Sequence, residues 1–459
     1  DNSFGVAFGD YDRDGFLDLY VCNYSENDSS RLYRNNGDVT FSYVTMASGT
    51  AQTPHLAFQA AFLDYNNDQW PDIFVAVDKL SPNVLFRNNG DGTFDEVSAA
   101  AGVDYIVDAM NAGFGDCNND GFLDIYVTNG PAGNLLHVNN GDGTFTESAV
   151  DCGVALNMNS WGGVFMDCNN DRLLDLYVNS DHFGAVNNGL FVNQDSCQFV
   201  KWNGNYSGNA EWSHGTAVGD FDSDGQPDLM INQANGSPYM LLRNNSAPAG
   251  TRWLKVVLHG KVSNRDGVGA WIRVYTDTVV QSRFTHAGYA YLAQNSYNIH
   301  FGIDTVPVVD SLIVHWPSGV IDKLYGVAAD QIVSLTENAL IWNGSTDSDW
   351  SNPANWDGAV VPDTSDNVFL RPGAVFYPEL SAGNLGIGGD AMSPAYLCKS
   401  LWIEEGAQMT CQPGVQLFNT ALIDIAGTLI VHATGTDAIV NQGGGELMIR
   451  SGGTLQVQD

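Results

Sequence analysis

Asp10-Tyr11-Asp12-Arg13-Asp14-Gly15-Phe16-Leu17-Asp18 is the stretch that carries the fold. It places acids at positions 1, 3, 5 and 9 of a nine-residue loop, with a turn glycine at 6. The pattern returns as Asp64-Tyr65-Asn66-Asn67-Asp68-Gln69-Trp70-Pro71-Asp72 and as Asp116-Cys117-Asn118-Asn119-Asp120-Gly121-Phe122-Leu123-Asp124. Two more copies are Asp167-Cys168-Asn169-Asn170-Asp171-Arg172-Leu173-Leu174-Asp175 and Asp220-Phe221-Asp222-Ser223-Asp224-Gly225-Gln226-Pro227-Asp228. Their first aspartates lie 54, 52, 51 and 53 residues apart.

The flanks repeat with the loops. A small or apolar stretch precedes each one, as at 5–9, 112–115 and 215–219, and a strand-like run such as Leu19-Tyr20-Val21 follows. A hairpin signature comes next, at Leu85 to Phe94 and again at Leu136 to Phe145, where Asn-Gly and Asp-Gly supply positive φ. That makes about four short strands per repeat. One such sheet cannot bury both faces, so the period predicts radial stacking of blades into a β-propeller. The 50 Gly and 43 Asn, with no sustained 3.6-residue period, predict an all-β chain.

The Phe-Gly-Asp start at 8–10, the Asp-rich loop and the Asp-Leu strand after it resemble FG-GAP/VCBS repeats, the blades of integrin α-subunit propellers. The resemblance covers residues 1–250. The five visible loops leave the blade number open, and the resemblance to a seven-bladed ring raises the expectation of blades before Asp1.

Ca²⁺ takes six to eight hard oxygens in a flexible shell. Side chains 1, 3, 5 and 9 and the carbonyl of residue 7 can supply them. The expected ligands are Asp10, Asp12, Asp14, Phe16 and Asp18; Asp64, Asn66, Asp68, Trp70 and Asp72; and Asp116, Asn118, Asp120, Phe122 and Asp124. They continue as Asp167, Asn169, Asp171, Leu173 and Asp175, and as Asp220, Asp222, Asp224, Gln226 and Asp228. Gln69 and Arg172 stand where the turn glycine belongs, so those two loops are expected to bind more weakly. Asx-turns use the same residues; five copies in register favour about five structural Ca²⁺ sites.

Residues 251–337 lose the repeat. Trp253-Leu254-Lys255, Asn264-Arg265-Asp266-Gly267, Gly288 to Gln294, His300-Phe301-Gly302 and His315-Trp316-Pro317-Ser318-Gly319 resemble, in that order, the ASPIC/UnbV module that follows such repeats in the cartilage acidic protein family. The resemblance implies an extracellular, calcium-associated architecture and no particular reaction. Arg265 and His286 read as a turn arginine and a strand histidine.

Residues 338–459 change again. Trp342, Trp350 and Trp356 open a segment resembling β-solenoid regions of bacterial surface proteins, as a packed cap or a sugar platform. Leu401, Ile403, Gly406 and Met409 recur as Leu447, Ile449, Gly452 and Leu455, with a shorter copy at Ile423, Ile425, Gly427 and Leu429. Spacings of 22 and 24 fit rungs of a parallel β-helix. Its open edge near Val457 invites continuation of the chain or stacking of a second copy, hence a filament.

Eighteen Lys+Arg stand against 53 Asp+Glu, a net charge of −35, which argues against nucleic acid and anionic membranes as partners. The five loops hold 17 of those carboxylates. No apolar run is long enough for membrane insertion. Seven Cys form no C-x-x-C pair; Cys398 and Cys411 read as a strand-to-strand bridge or as small buried residues. Six Asn-x-Ser/Thr sequons permit glycosylation, at Asn23, Asn27, Asn205, Asn235, Asn244 and Asn343. G-x-S-x-G, H-E-x-x-H, P-loop and Rossmann patterns are lacking, and Gly386-Ile387-Gly388-Gly389 is followed by no helix pattern. The expectation is a secreted or cell-surface scaffold, not an enzyme, with extracellular proteins or glycans as partners. A lectin-like propeller is the alternative, and a polysaccharide-active enzyme the third reading.

Overall fold

The computed structural model describes all residues except 1, 53–54, 80, 181–187, 203–211, 234–235, 278, 358, 364–365, 381–394, 405, 413–415, 420–421, 433–438, 442–445, 450–452 and 459. The sequons at Asn205 and Asn235 and the glycines at 386–389 lie outside the described residues. About 2% of the chain is helical, chiefly Ser98–Ala101. The chain divides into two units, Asp1–Thr336 and Glu337–Asp459.

In the first unit each Asp-rich loop joins the first two strands of an antiparallel sheet. The first sheet runs Ser3–Gly9, Asp18–Asn23, Arg31–Asn35, Phe41–Tyr43, with sequence neighbours paired in order. The second runs Ala57–Leu63, Asp72–Val77, Val84–Asn88, Phe94–Glu96, and the third Ala112–Gly115, Asp124–Val127, Leu135–Asn139, Phe145–Glu147. The fourth runs Ser160–Met166, Asp175–Ser180, Gly189–Asn193, Phe199–Lys201. The fifth has three described strands, Ser213–Gly219, Asp228–Gln233 and Met240–Leu242.

These sheets pack face on face in chain order. Tyr20 and Leu32 of the first share a core with Phe62, Ile73, Val75 and Phe86 of the second. Phe74 and Leu85 then meet Phe114, Ile125 and Val127 of the third, and Tyr126 and Leu136 meet Phe165, Leu176 and Phe191 of the fourth. With both faces covered, Asp72–Val77 is buried at every position, which is why it reads as an unbroken apolar run. The small residues before the loops have a steric reason. First strands of successive sheets approach so closely that a Cβ on Gly113 would sit 2.6 Å from the Gly163 carbonyl oxygen.

Residues 251–336 form two further sheets in the same unit. One orders Ile299–Gly302, Trp253–His259 and Gln331–Thr336, the last pair parallel. The other orders Val279–Phe284, Trp271–Thr276, Val308–His315 and Ile321–Ala328. Arg265 lies exposed in a turn, and His286 is buried two residues beyond the strand Val279–Phe284.

The second unit is built from parallel ladders. One orders Leu340–Trp342, Asn367–Leu370, Ser400–Ile403, Leu422–Ile425 and Glu446–Ile449; a second orders Glu379–Leu380, Gln408–Cys411, Thr428–His432 and Thr454–Gln458. Leu401 pairs with Ile423 and Ile423 with Leu447. Met409 pairs with Leu429 and Leu429 with Leu455. The apolar repeat therefore matches the register of pairing. Trp342, Trp350 and Trp356 are buried against one another, with ring centroids of 350 and 356 at 4.7 Å, so these rings pack a core and offer no sugar platform. Cys398 and Cys411 are both buried and are not bridged to each other.

Candidate metal sites in the Asp-rich loops

Position 4 of every loop takes the left-handed conformation, with φ near 60° at Arg13, Asn67, Asn119, Asn170 and Ser223. This reverses the chain within the loop. Position 6 also has positive φ: 90° at Gly15, but also 69° at Gln69 and 80° at Arg172. The two substitutions thus carry the backbone strain expected of them.

The first aspartate accepts the amide of residue 6 in each loop: Gly15, Gln69, Gly121, Arg172 and Gly225 donate to Asp10, Asp64, Asp116, Asp167 and Asp220. The fifth accepts the amide of residue 7, so Phe16, Trp70, Phe122, Leu173 and Gln226 donate to Asp14, Asp68, Asp120, Asp171 and Asp224. The ninth has a role not legible in the pattern. Asp18 accepts from the Asn35 and Tyr11 amides; Asp72, Asp124, Asp175 and Asp228 each accept the equivalent pair. It ties the loop to the third strand.

Position 3 separates the loops. Asp10, Asp12 and Asp18 bring carboxylate oxygens within 4.8 Å of one another, as do Asp220, Asp222 and Asp228. In the middle three loops the Asn66, Asn118 and Asn169 amides donate to Asp68, Asp120 and Asp171 at 2.7–2.8 Å. A half-turn of each carboxamide would present an oxygen instead. Cys117, Asp124 and Cys197 also converge, but the two cysteines form a disulfide and offer no thiolate.

The first loop fits a hard cation. Asp10 is 1% exposed, and its Oδ1, like that of Asp12, has no hydrogen-bond partner. Arg34 bridges the outer oxygens of Asp12 (2.5 Å) and Asp14 (3.1 Å). Burial and the crowding of like charge push the Asp10 carboxyl well above the usual range, Asp12 to about 6 and Asp18 to about 9. Burial likewise pushes Asp64 to about 6, Asp116 and Asp175 to about 7 and Asp167 to about 8, and raises Asp72, Asp124 and Asp228.

Residues 251–336 reach the first aspartate of other loops. Trp271 Nε1 donates to Asp64 Oδ2 at 2.8 Å. Half-buried Arg283 acts electrostatically on Asp116 and Asp167, and Lys255 pairs with Asp220. Asp167, Asp220, Lys255, Arg283 and His300 line one cavity of about 130 Å³.

Family models match two regions. An FG-GAP-like repeat matches at 10–75, 64–127 and 116–178, and the ASPIC and UnbV model matches residues 260–340. The chain carries FG-GAP-like repeats and an ASPIC/UnbV domain. The fifth loop, at Asp220–Asp228, lies beyond the matched repeats. The chain is distantly homologous to cartilage acidic protein 1: 29% identical to the Xenopus tropicalis protein over 56% of this chain, and 28% to the Homo sapiens protein over 54%. It spans 41% and 39% of those relatives' lengths. A solved Agrocybe aegerita lectin that recognises non-reducing terminal N-acetylglucosamine superposes at a TM-score of 0.34 and 18% identity, covering 53% of this chain and 64% of the lectin. That likeness is too low to bear on fold or ligand.

Between FG-GAP-like repeats the loops are stitched. Asn67, Asn119 and Asn170 donate to the Gly121, Arg172 and Gly225 carbonyls of the next loop at 3.0–3.1 Å. The ASPIC/UnbV domain adds its own contacts, with His300 Nε2 2.8 Å from Asn170 Oδ1 and the Asp304 amide donating to the Asn170 carbonyl.

Proposed function

We propose that the chain is an extracellular scaffold whose Asp-rich loops bind structural Ca²⁺, its five FG-GAP-like sheets being blades of a β-propeller and residues 338–459 a parallel β-solenoid. One observation carries the metal reading: Asp10 Oδ1 and Asp12 Oδ1 are buried without partners inside a group of three carboxylates. Buried acceptors are costly unless paired, and a calcium ion would supply the missing charge. Sheets that pack face on face in chain order support the propeller, and matched parallel registers support the solenoid.

The relatives' name and the Cys117–Cys197 disulfide favour an oxidising, extracellular location. Asn27 and Asn343 are exposed and suit glycosylation. Partners are other extracellular proteins or glycans, with self-association through the solenoid edge, and the reading assigns no catalysis.

Calorimetric titration with Ca²⁺ and thermal melting in chelator test it. Heat of binding and a lower Tm in chelator are expected; no heat and an unchanged Tm would sink the calcium reading.

A further inference from the structure

The first and fifth loops share one design. Both carry aspartate at positions 1, 3, 5 and 9 with glycine at 6. Both have an arginine directly before the asparagine whose backbone amide bonds the ninth aspartate: Arg243 bridges Asp222 at 2.7 Å and Asp224 at 3.1 Å as Arg34 bridges Asp12 and Asp14. They differ at the first aspartate. Asp10 leaves a buried oxygen unpartnered. Asp220 receives the Lys255 ammonium, with both side chains 4% exposed.

The strand Trp253–His259 makes this pairing. Side chains two apart share a face, and Trp253 and Lys255 both turn toward the fifth loop. The Trp253 indole lies against Gly225, where a Cβ would collide with Nε1. The Lys255 ammonium lies 4.7 Å from the Trp253 ring centroid, an added attraction for a desolvated cation. A buried ammonium needs an opposite charge against it, and a second cation beside it would meet direct repulsion.

We propose that Lys255 is the resident cation of the fifth loop, so that this loop is held by the strand Trp253–His259, which pairs with strands of the ASPIC/UnbV domain, instead of by Ca²⁺. The proposal rests on the calcium reading of the loops and makes the fifth an exception within it. It also gives this strand a role toward the repeats: sheet-paired to the ASPIC/UnbV domain, it supplies the charge that closes the last Asp-rich loop.

The test counts Ca²⁺ bound per full-length chain by equilibrium dialysis, with Ca²⁺ alone as probe, in wild type, Lys255→Met, Asp220→Asn and Asp10→Asn. Lys255→Met should bind one ion more than wild type, Asp220→Asn the same number, and Asp10→Asn one fewer. An unchanged count in Lys255→Met, or an ion lost in Asp220→Asn, overturns the proposal; if Lys255→Met does not fold, the Asp220→Asn count decides. A wild-type chain without bound Ca²⁺ overturns the reading of the first loop, and the gain or absence of a site in Lys255→Met then still decides the role of Lys255.

Discussion

The Asn88 side-chain amide donates to the Tyr11 main-chain carbonyl at 2.8 Å, joining positions 77 residues apart. The bond recurs from Asn139 to Tyr65, Asn193 to Cys117 and Asn244 to Cys168. Asn88, Asn139 and Asn193 each end the third strand of a repeat, Asn244 lies two residues past its third strand, and each holds the loop of the repeat before it.

Asn88→Ala should therefore cost far more than a surface change. Asn88 is 3% exposed and also donates to the Pro71 carbonyl, so truncation strands two carbonyls, at a cost of about 1–3 kcal/mol. Exposed Asn89→Ala should stay within about 0.5 kcal/mol of wild type. Urea denaturation midpoints of the two variants check this.

His137 makes the fold acid-sensitive. It is fully buried, neither ring nitrogen has a partner, and burial lowers its pKa from 6.5 to about 4. The unfolded chain therefore binds a proton between pH 6.5 and 4 that the folded chain refuses, and stability falls as pH drops through that window, by up to about 3 kcal/mol. Phe86 and Phe191 hold the same register in neighbouring sheets. His137→Phe should raise the Tm and flatten its pH dependence there; an equally steep profile would contradict this.

The Cys117–Cys197 bridge closes a loop across 80 residues and ties the third Asp-rich loop to the fourth sheet. Replacing both cysteines by serine should lower stability by about 2–4 kcal/mol. Chemical denaturation of the oxidised wild type against the double variant measures it, and equal midpoints would count against a structural role.

Gln69 is exposed and holds φ of 69° where Gly15, Gly121 and Gly225 lie near 90°. Gln69→Gly should relieve strain and stabilise by roughly 1 kcal/mol. A fall in Tm would show that the side chain contributes more than its backbone costs.

Local chemistry made much of this molecule readable. Asp-rich loops at a fifty-residue interval, Asn-Gly turns and period-two strands depend on neighbours a few residues away, and the structure places strands and turns where they are expected. The parallel-paired strands at Leu401, Ile423 and Leu447 were readable for the same reason, since parallel pairing sets like residues on one another. The ninth aspartates kept their place but gained a function as acceptors of two amides, because those donors belong to the loop's start and to the end of the third strand or just past it, 15 to 18 residues on.

Partner choice over long distances was not readable. Nothing near Cys117 in the chain names Cys197 among the seven cysteines, and nothing near Asp220 names Lys255. Buried charges, thiols and amides take whatever packing brings within bonding distance, and packing is a property of the assembled sheets. The nine-residue loop announces where carboxylates gather. Whether a gathered group keeps an unpartnered oxygen, as at Asp10, or meets an ammonium, as at Asp220, depends on which strand the fold lays against it.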